Sequence, residues 1–66
     1  MHIICNGQQQ EIKEETTLSS LLDSLKLRPD AVVAEVNKNI IDPDQYDTLL
    51  LQDGDRVELI RFVGGG

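Results

Sequence analysis

The period of the apolar residues changes along this chain, and each change marks an element. From Met1 to Cys5 they alternate, with Met1, Ile3 and Cys5 on one face and His2 and Ile4 on the other, the pattern of a half-buried strand. Asn6-Gly7 then suits a type I′ turn, whose two central residues take positive φ, so a hairpin is predicted. The return segment, Gln8 to Lys13, is polar apart from Ile12 and reads as an exposed edge strand, blunted by Gln10, Glu11 and Lys13. Beyond Thr17 the period lengthens. Leu18, Leu21, Leu22 and Leu25 form one helical stripe, with Ser19, Ser20, Asp23, Ser24 and Lys26 on the wet face. Thr17 is placed to cap the first turn, and Glu14 and Glu15 are expected near the positive end of the helix dipole. Pro29 prevents continuation and biases Arg28 away from helix, so the helix should end near Lys26, with Leu27 packing back.

Ala31 to Val36 reads as a third strand. The charge on Glu35 sends the odd positions outward and leaves Val32, Ala34 and Val36 inward. Asn37-Lys38-Asn39 makes a turn and Ile40-Ile41 a brief fourth strand. Asp42 to Asp47 predicts a single helical turn, capped by Asp42 with Pro43 at its first position. Thr48-Leu49-Leu50-Leu51 is expected as an extended connector whose leucines close the bottom of the core. Asp53-Gly54 turns the chain into the last strand, Arg56 to Val63, with Val57 and Leu59 inward and Ile60 and Phe62 outward. Two large apolar side chains on a wet face predict a docking surface. One amphipathic helix packed on a mixed four- to five-stranded sheet buries both sets of apolar residues. The first and last strands should lie parallel, side by side at its centre. That is an α+β fold of the β-grasp, or ubiquitin-like, type.

Composition narrows the function. Sixty-six residues make one domain with no room for a buried catalytic cleft of ordinary size, and a core this small supplies about 3–5 kcal/mol of net stability. No apolar run approaches the roughly 20 residues of a membrane span. The start, Met1-His2-Ile3-Ile4, lacks a signal peptide's basic flank and apolar stretch, so a cytoplasmic protein is expected. Twelve acidic against six basic residues give a formal charge of −6, which repels phosphate backbones and favours a protein partner with a basic face over nucleic acid. The single cysteine, Cys5, excludes an intrachain disulfide and reads as a small buried hydrophobe. His2 faces outward with no serine or cysteine beside it to activate. Asp42, Asp44, Asp47, Asp53 and Asp55 resemble a calcium loop. An EF-hand register from Asp42 fails, however, because its sixth position is Asp47 rather than glycine and its twelfth Asp53 rather than glutamate, which leaves a solvated acidic rim. No residue has the setting of an enzyme's nucleophile or base.

The chain closes on Phe62-Val63-Gly64-Gly65-Gly66. Glycines lack side chains and prefer no single backbone region, so residues 1–63 are expected as the domain and 64–66 as a flexible tail tipped by the Gly66 carboxylate. Such a thread enters a channel that a Cβ would block. Gly64-Gly65-Gly66 is no phosphate loop, since no lysine, hydroxyl residue or helix follows. A frayed end or an expression scar would give the same composition.

Several segments together carry a resemblance over essentially all 66 residues. They are the Asn6-Gly7 hairpin, Thr17-Leu18-Ser19-Ser20-Leu21-Leu22, Val33-Ala34-Glu35-Val36-Asn37, Gln52-Asp53-Gly54-Asp55-Arg56-Val57-Glu58 and the Gly-Gly terminus. In these the chain resembles the sulfur carrier family of thiamine biosynthesis. The resemblance implies a carrier rather than an enzyme, with no bound cofactor and monomeric when free. It implies further that an ATP-dependent partner adenylates the Gly66 carboxylate, that persulfide sulfur derived from cysteine displaces AMP to leave a thiocarboxylate, and that a thiazole synthase receives the sulfur. Gly64 and Gly65 belong to the tail, Gly65 and Gly66 would let it lie extended in both enzymes' channels, and Ile60 and Phe62 are the expected partner-binding residues. The small subunit of molybdopterin synthase shares the fold, the Gly-Gly end and the chemistry, but those chains usually run longer. A ubiquitin-like modifier joined to lysines through Gly66 shares the adenylation step. A plain binding module with idle glycines shares only the fold.

Overall fold

Two strands joined by Asn6 and Gly7, both at positive φ (50° and 81°), open the chain: β1 (His2–Cys5) and β2 (Gln8–Glu11). The computed structural model describes residues 1–62; Val63 and the glycine tail, and with them the expected boundary between domain and tail, lie outside the described residues. The hairpin register runs from Cys5 opposite Gln8 to His2 opposite Glu11. Met1 and Ile12 prolong the ladder, the Ile12 N–H donating to the Met1 carbonyl at 2.8 Å and the Met1 amino group to the Ile12 carbonyl at 2.9 Å.

Helix α1 (Leu18–Ser24) begins where Thr17 Oγ1 accepts the Ser20 N–H at 3.1 Å. Glu14 and Glu15 precede the cap in a separate exposed turn, with Glu15 at φ 64°, and the first helical turn itself contains no acidic residue. Leu18, Leu21 and Leu22 are buried and Leu25 is partly so. The helix stops through paired terminal bonds, Lys26 N–H to Asp23 O (3.0 Å) and Leu27 N–H to Leu22 O (2.9 Å), with Lys26 at φ 59°. This is the Schellman pattern, which usually places glycine at the left-handed position. Leu27 packs against the core as that pattern requires.

A 3-10 turn (Pro29–Ala31) follows, so Ala31 closes that turn rather than opening β3 (Val32–Val36). Val32, Ala34 and Val36 are buried, as the alternation predicts. Asn37 and Lys38, both at positive φ (52° and 71°), make a two-residue turn that pairs Val36 with Asn39. This sets β4 at Asn39–Ile40, one residue earlier than expected. Asp42 Oδ1 accepts the Asp44 N–H at 2.9 Å and caps a second 3-10 turn, Pro43–Gln45. Tyr46, which the sequence reading assigned no place in the core, is buried, and its hydroxyl donates to the Val32 carbonyl at 3.4 Å. Of the three leucines at 49–51, Leu51 is buried and Leu49 partly so, but Leu50 is 51% exposed. An extended segment, here bridged from Leu50 to Thr17, alternates its faces and cannot turn three consecutive side chains inward.

The last strand, β5 (Arg56–Arg61), lies inside a sheet of order β2-β1-β5-β3-β4, parallel to β1 and antiparallel to β3. Val57 and Leu59 join Ile3, Cys5, Val32, Ala34 and the helix leucines in the core. This is the β-grasp arrangement. Among the described residues no helix is long and apolar enough to cross a membrane. Leu21→Ala and Leu59→Ala should each lower unfolding free energy by about 2–5 kcal/mol, a large share of a small domain's stability; urea denaturation checks this, and a parent-like midpoint would refute the packing of that element.

Candidate functional site

The face of the sheet away from the helix gathers the side chains that the core leaves out. Alternation along β5 puts Arg56, Glu58 and Ile60 there, and the ladder continues one residue further as the Phe62 N–H donates to the Ala31 carbonyl at 3.0 Å. Ile60 and Phe62 are each 53% exposed, as expected from their positions. Val33 stands opposite Ile60, and Ile40, 72% exposed, stands opposite Glu35. Glu35 is also directly opposite Glu58. Like charges facing each other across a ladder are unfavourable, and the ion pair among the described residues, Arg28–Asp30 at 3.2 Å, lies elsewhere. The face is therefore an apolar strip beside an acidic pair that has no ion-pair partner among the described residues.

The turn before β5 is built by hydrogen bonds. Asp53 Oδ1 accepts the His2 N–H at 2.8 Å, Asp55 Oδ2 accepts the Gln52 N–H at 2.8 Å, and Asp55 Oδ1 accepts from Asn37 Nδ2 at 2.9 Å. Gly54 takes φ 87° and its N–H reaches the His2 carbonyl at 2.7 Å. Asp53, Asp55 and the capping Asp42 are thus structural acceptors, while Asp44 and Asp47 remain exposed. No group of His, Cys, Asp or Glu able to hold a metal ion occurs among the described residues. The sequence reading also missed the Asn6 side chain, which bonds Leu59 on both its N–H (2.8 Å) and its carbonyl (3.3 Å). Gly64, Gly65 and Gly66 lie outside the described residues.

The ThiS family matches residues 3–66. The chain belongs to that family. The sulfur carrier protein ThiS of Bacillus subtilis is 40% identical over 62 residues, covering 92% of this chain and 94% of that one. A thiazole synthase of Magnetococcus marinus is 36% identical over 66 residues, all of this chain but 20% of that protein's length. The chain thus spans about a fifth of the thiazole synthases that it matches. The crystal structure of the thiamine biosynthesis protein ThiS from Geobacter metallireducens superposes with a TM-score of 0.85 at 30% identity, over the whole of both chains. The ThiS protein of Escherichia coli, 29% identical over 66 residues and matched over the whole of both chains, is likewise a sulfur carrier protein.

The lone thiol of this ThiS-family chain is withdrawn from the surface. Cys5 is buried in the core, where desolvation pushes its pKa up and the charge of Glu58 adds to the shift. The unfolded thiol ionises at lower pH. Stability is therefore undiminished below the unfolded-state pKa and falls as pH rises from there towards the folded value. Urea melts across alkaline pH should show a shallower decline for Cys5→Ala than for the parent, and iodoacetamide should alkylate the folded parent far more slowly than the unfolded chain. Equal rates would place Cys5 at the surface.

Proposed function

We propose that this protein carries sulfur for the thiazole ring of thiamine, with the Gly66 carboxylate as the carrying group. The observation that supports this most is the ThiS match, which runs through Gly66. A carboxylate is a poor electrophile until one oxygen becomes a good leaving group. An ATP-dependent partner supplies that by joining the Gly66 carboxylate to AMP and releasing pyrophosphate. The terminal sulfur of a persulfide attacks the carbonyl carbon and AMP departs. A thiol then cleaves the acyl disulfide, leaving a thiocarboxylate on Gly66 and a new disulfide between thiol and donor. The ionised sulfur is the nucleophile handed to a thiazole synthase. Gly64 and Gly65 thread the tail into each enzyme, and all catalytic side chains belong to the partners. The free protein is a cytoplasmic monomer that binds no cofactor.

Ile60 and Phe62 dock on the adenylating partner, whose basic groups meet Glu35 and Glu58. Aromatic anchors dominate such interfaces. Phe62→Ala should therefore weaken the complex by about 2 kcal/mol or more, read by calorimetric titration, while thermal melting changes little; unchanged affinity would remove Phe62 from the docking face.

Intact-protein mass spectrometry after incubation with the adenylating enzyme, MgATP, a persulfide donor and a thiol tests the carrier chemistry. The expected product has one carboxylate oxygen exchanged for sulfur. One residue appended after Gly66 should abolish the exchange, a bulky residue at Gly65 should nearly do so, and losing Gly66 alone should be milder than losing Gly65 and Gly66. No exchange with cognate partners, or equal exchange on the extended tail, would overturn the proposal, and lysine-linked adducts instead would mark a protein modifier.

A further inference from the structure

A strand that outlasts its neighbour leaves main-chain donors and acceptors without partners on that side. On β5 the even-numbered residues bond towards β3: the Asn37 N–H donates to the Arg56 carbonyl at 2.8 Å and the Phe62 N–H to the Ala31 carbonyl at 3.0 Å. The odd-numbered residues therefore face β1. β1 serves them only as far as its turn, where the Asn6 N–H donates to the Val57 carbonyl at 2.9 Å. The backbone then reverses towards β2, and the Asn6 side chain takes over. Its Oδ1 accepts the Leu59 N–H at 2.8 Å and its Nδ2 donates to the Leu59 carbonyl at 3.3 Å. The amide acts as one more peptide unit of β1. The next residue to face that way, Arg61, finds no partner there among the described residues.

The turn alone does not demand this side chain. Asn6 sits at φ 50°, a conformation that glycine adopts with less strain and that aspartate tolerates. Only asparagine combines that backbone with both a donor and an acceptor in the positions Leu59 needs. The contact lies two residues before Arg61 and three before Phe62, so among the described residues it is the last hydrogen-bonded support of β5 on the β1 side. We infer that Asn6 is a positioning residue for sulfur loading. Its amide holds the end of β5 on the side away from β3, and so sets the direction in which the tail is delivered to the adenylating partner. The inference rests on the carrier reading above.

The test compares the full-length parent with Asn6→Gly, which keeps the turn and removes both bonds, and Asn6→Asp, which keeps the acceptor and loses the donor to the Leu59 carbonyl. Leu49→Ala, in the segment bridged to Thr17, serves as a destabilised control that leaves Asn6 and its bonding groups intact. All are assayed at a temperature where circular dichroism shows them fully folded. Amide exchange at Leu59 should accelerate roughly tenfold or more in Asn6→Gly, with Glu58 and Ile60, which bond to β3, changing far less. In ATP–pyrophosphate exchange with the cognate adenylating enzyme, the KM for Asn6→Gly should rise roughly tenfold with kcat little changed, Asn6→Asp should fall between, and Leu49→Ala should match the parent. Should Asn6→Gly lose its fold, Asn6→Asp carries the same comparison. A KM equal to the parent's, an equal rise in Leu49→Ala, or unaccelerated Leu59 exchange overturns the inference alone, since the parent still reacts. A parent that is never adenylated overturns the carrier reading and this inference with it.

Discussion

The parallel pairing of β1 with β5 is the contact on which the rest of the domain depends. It spans only Ile4 opposite Arg56 and Cys5 opposite Val57, yet it joins the two ends of the described chain. Parallel neighbours cannot be linked by a tight turn, so the intervening segment has to cross over one face, and α1 with its buried leucines is that crossover. The short ladder is lengthened at both ends by other means. Gly54 and Asp53 bond to His2 before it, and the backbone and side chain of Asn6 bond to Val57 and Leu59 after it. The strand that bears the tail thereby has neighbours on both sides and sits inside the sheet rather than at an edge.

The two faces of that sheet follow different rules. Towards the helix, small and branched residues fill the core, and among the described residues no charged group is buried. On the outer face, Ile60, Phe62 and Ile40 are left largely exposed and two glutamates oppose each other. Both features cost stability in a domain with little to spare. Replacing either glutamate by a neutral residue would be an easy gain if stability were all that counted. Surfaces that forgo such gains are commonly held in place by function.

Elements with a strong period were legible before any coordinates. The leucine stripe of α1, the alternation of β3 and β5 and the Asn6-Gly7 turn all sit where the pattern put them. What escaped had no period or carried an untypical residue. Tyr46 lies in a turn too short to show a buried face, and the run of leucines at 49–51 fits either side of an extended segment equally well. The start of β4 depended on a two-residue turn whose second residue, Lys38, adopts a conformation more typical of glycine. Asn6 was read correctly as a turn residue, but its second task concerns a residue 53 positions away and no local pattern can display it. The exposed pair Ile60 and Phe62 was visible as an anomaly, two apolar residues where alternation demands polar ones.

A tail of glycines gives a partner little to recognise, because its side chains are absent and its backbone is common to every protein. Discrimination between this carrier and any other Gly-Gly terminus must therefore come from what lies just before the tail. The sheet provides a strip of apolar contact, a pair of carboxylates and a fixed line of approach, all carried on β5 or bonded to it. On the carrier reading proposed above, the chemistry stays in the partners and the last strand has to arrive at the same angle each time. The hydrogen bonds outside the regular ladders that converge on residues 53–59 would serve that requirement.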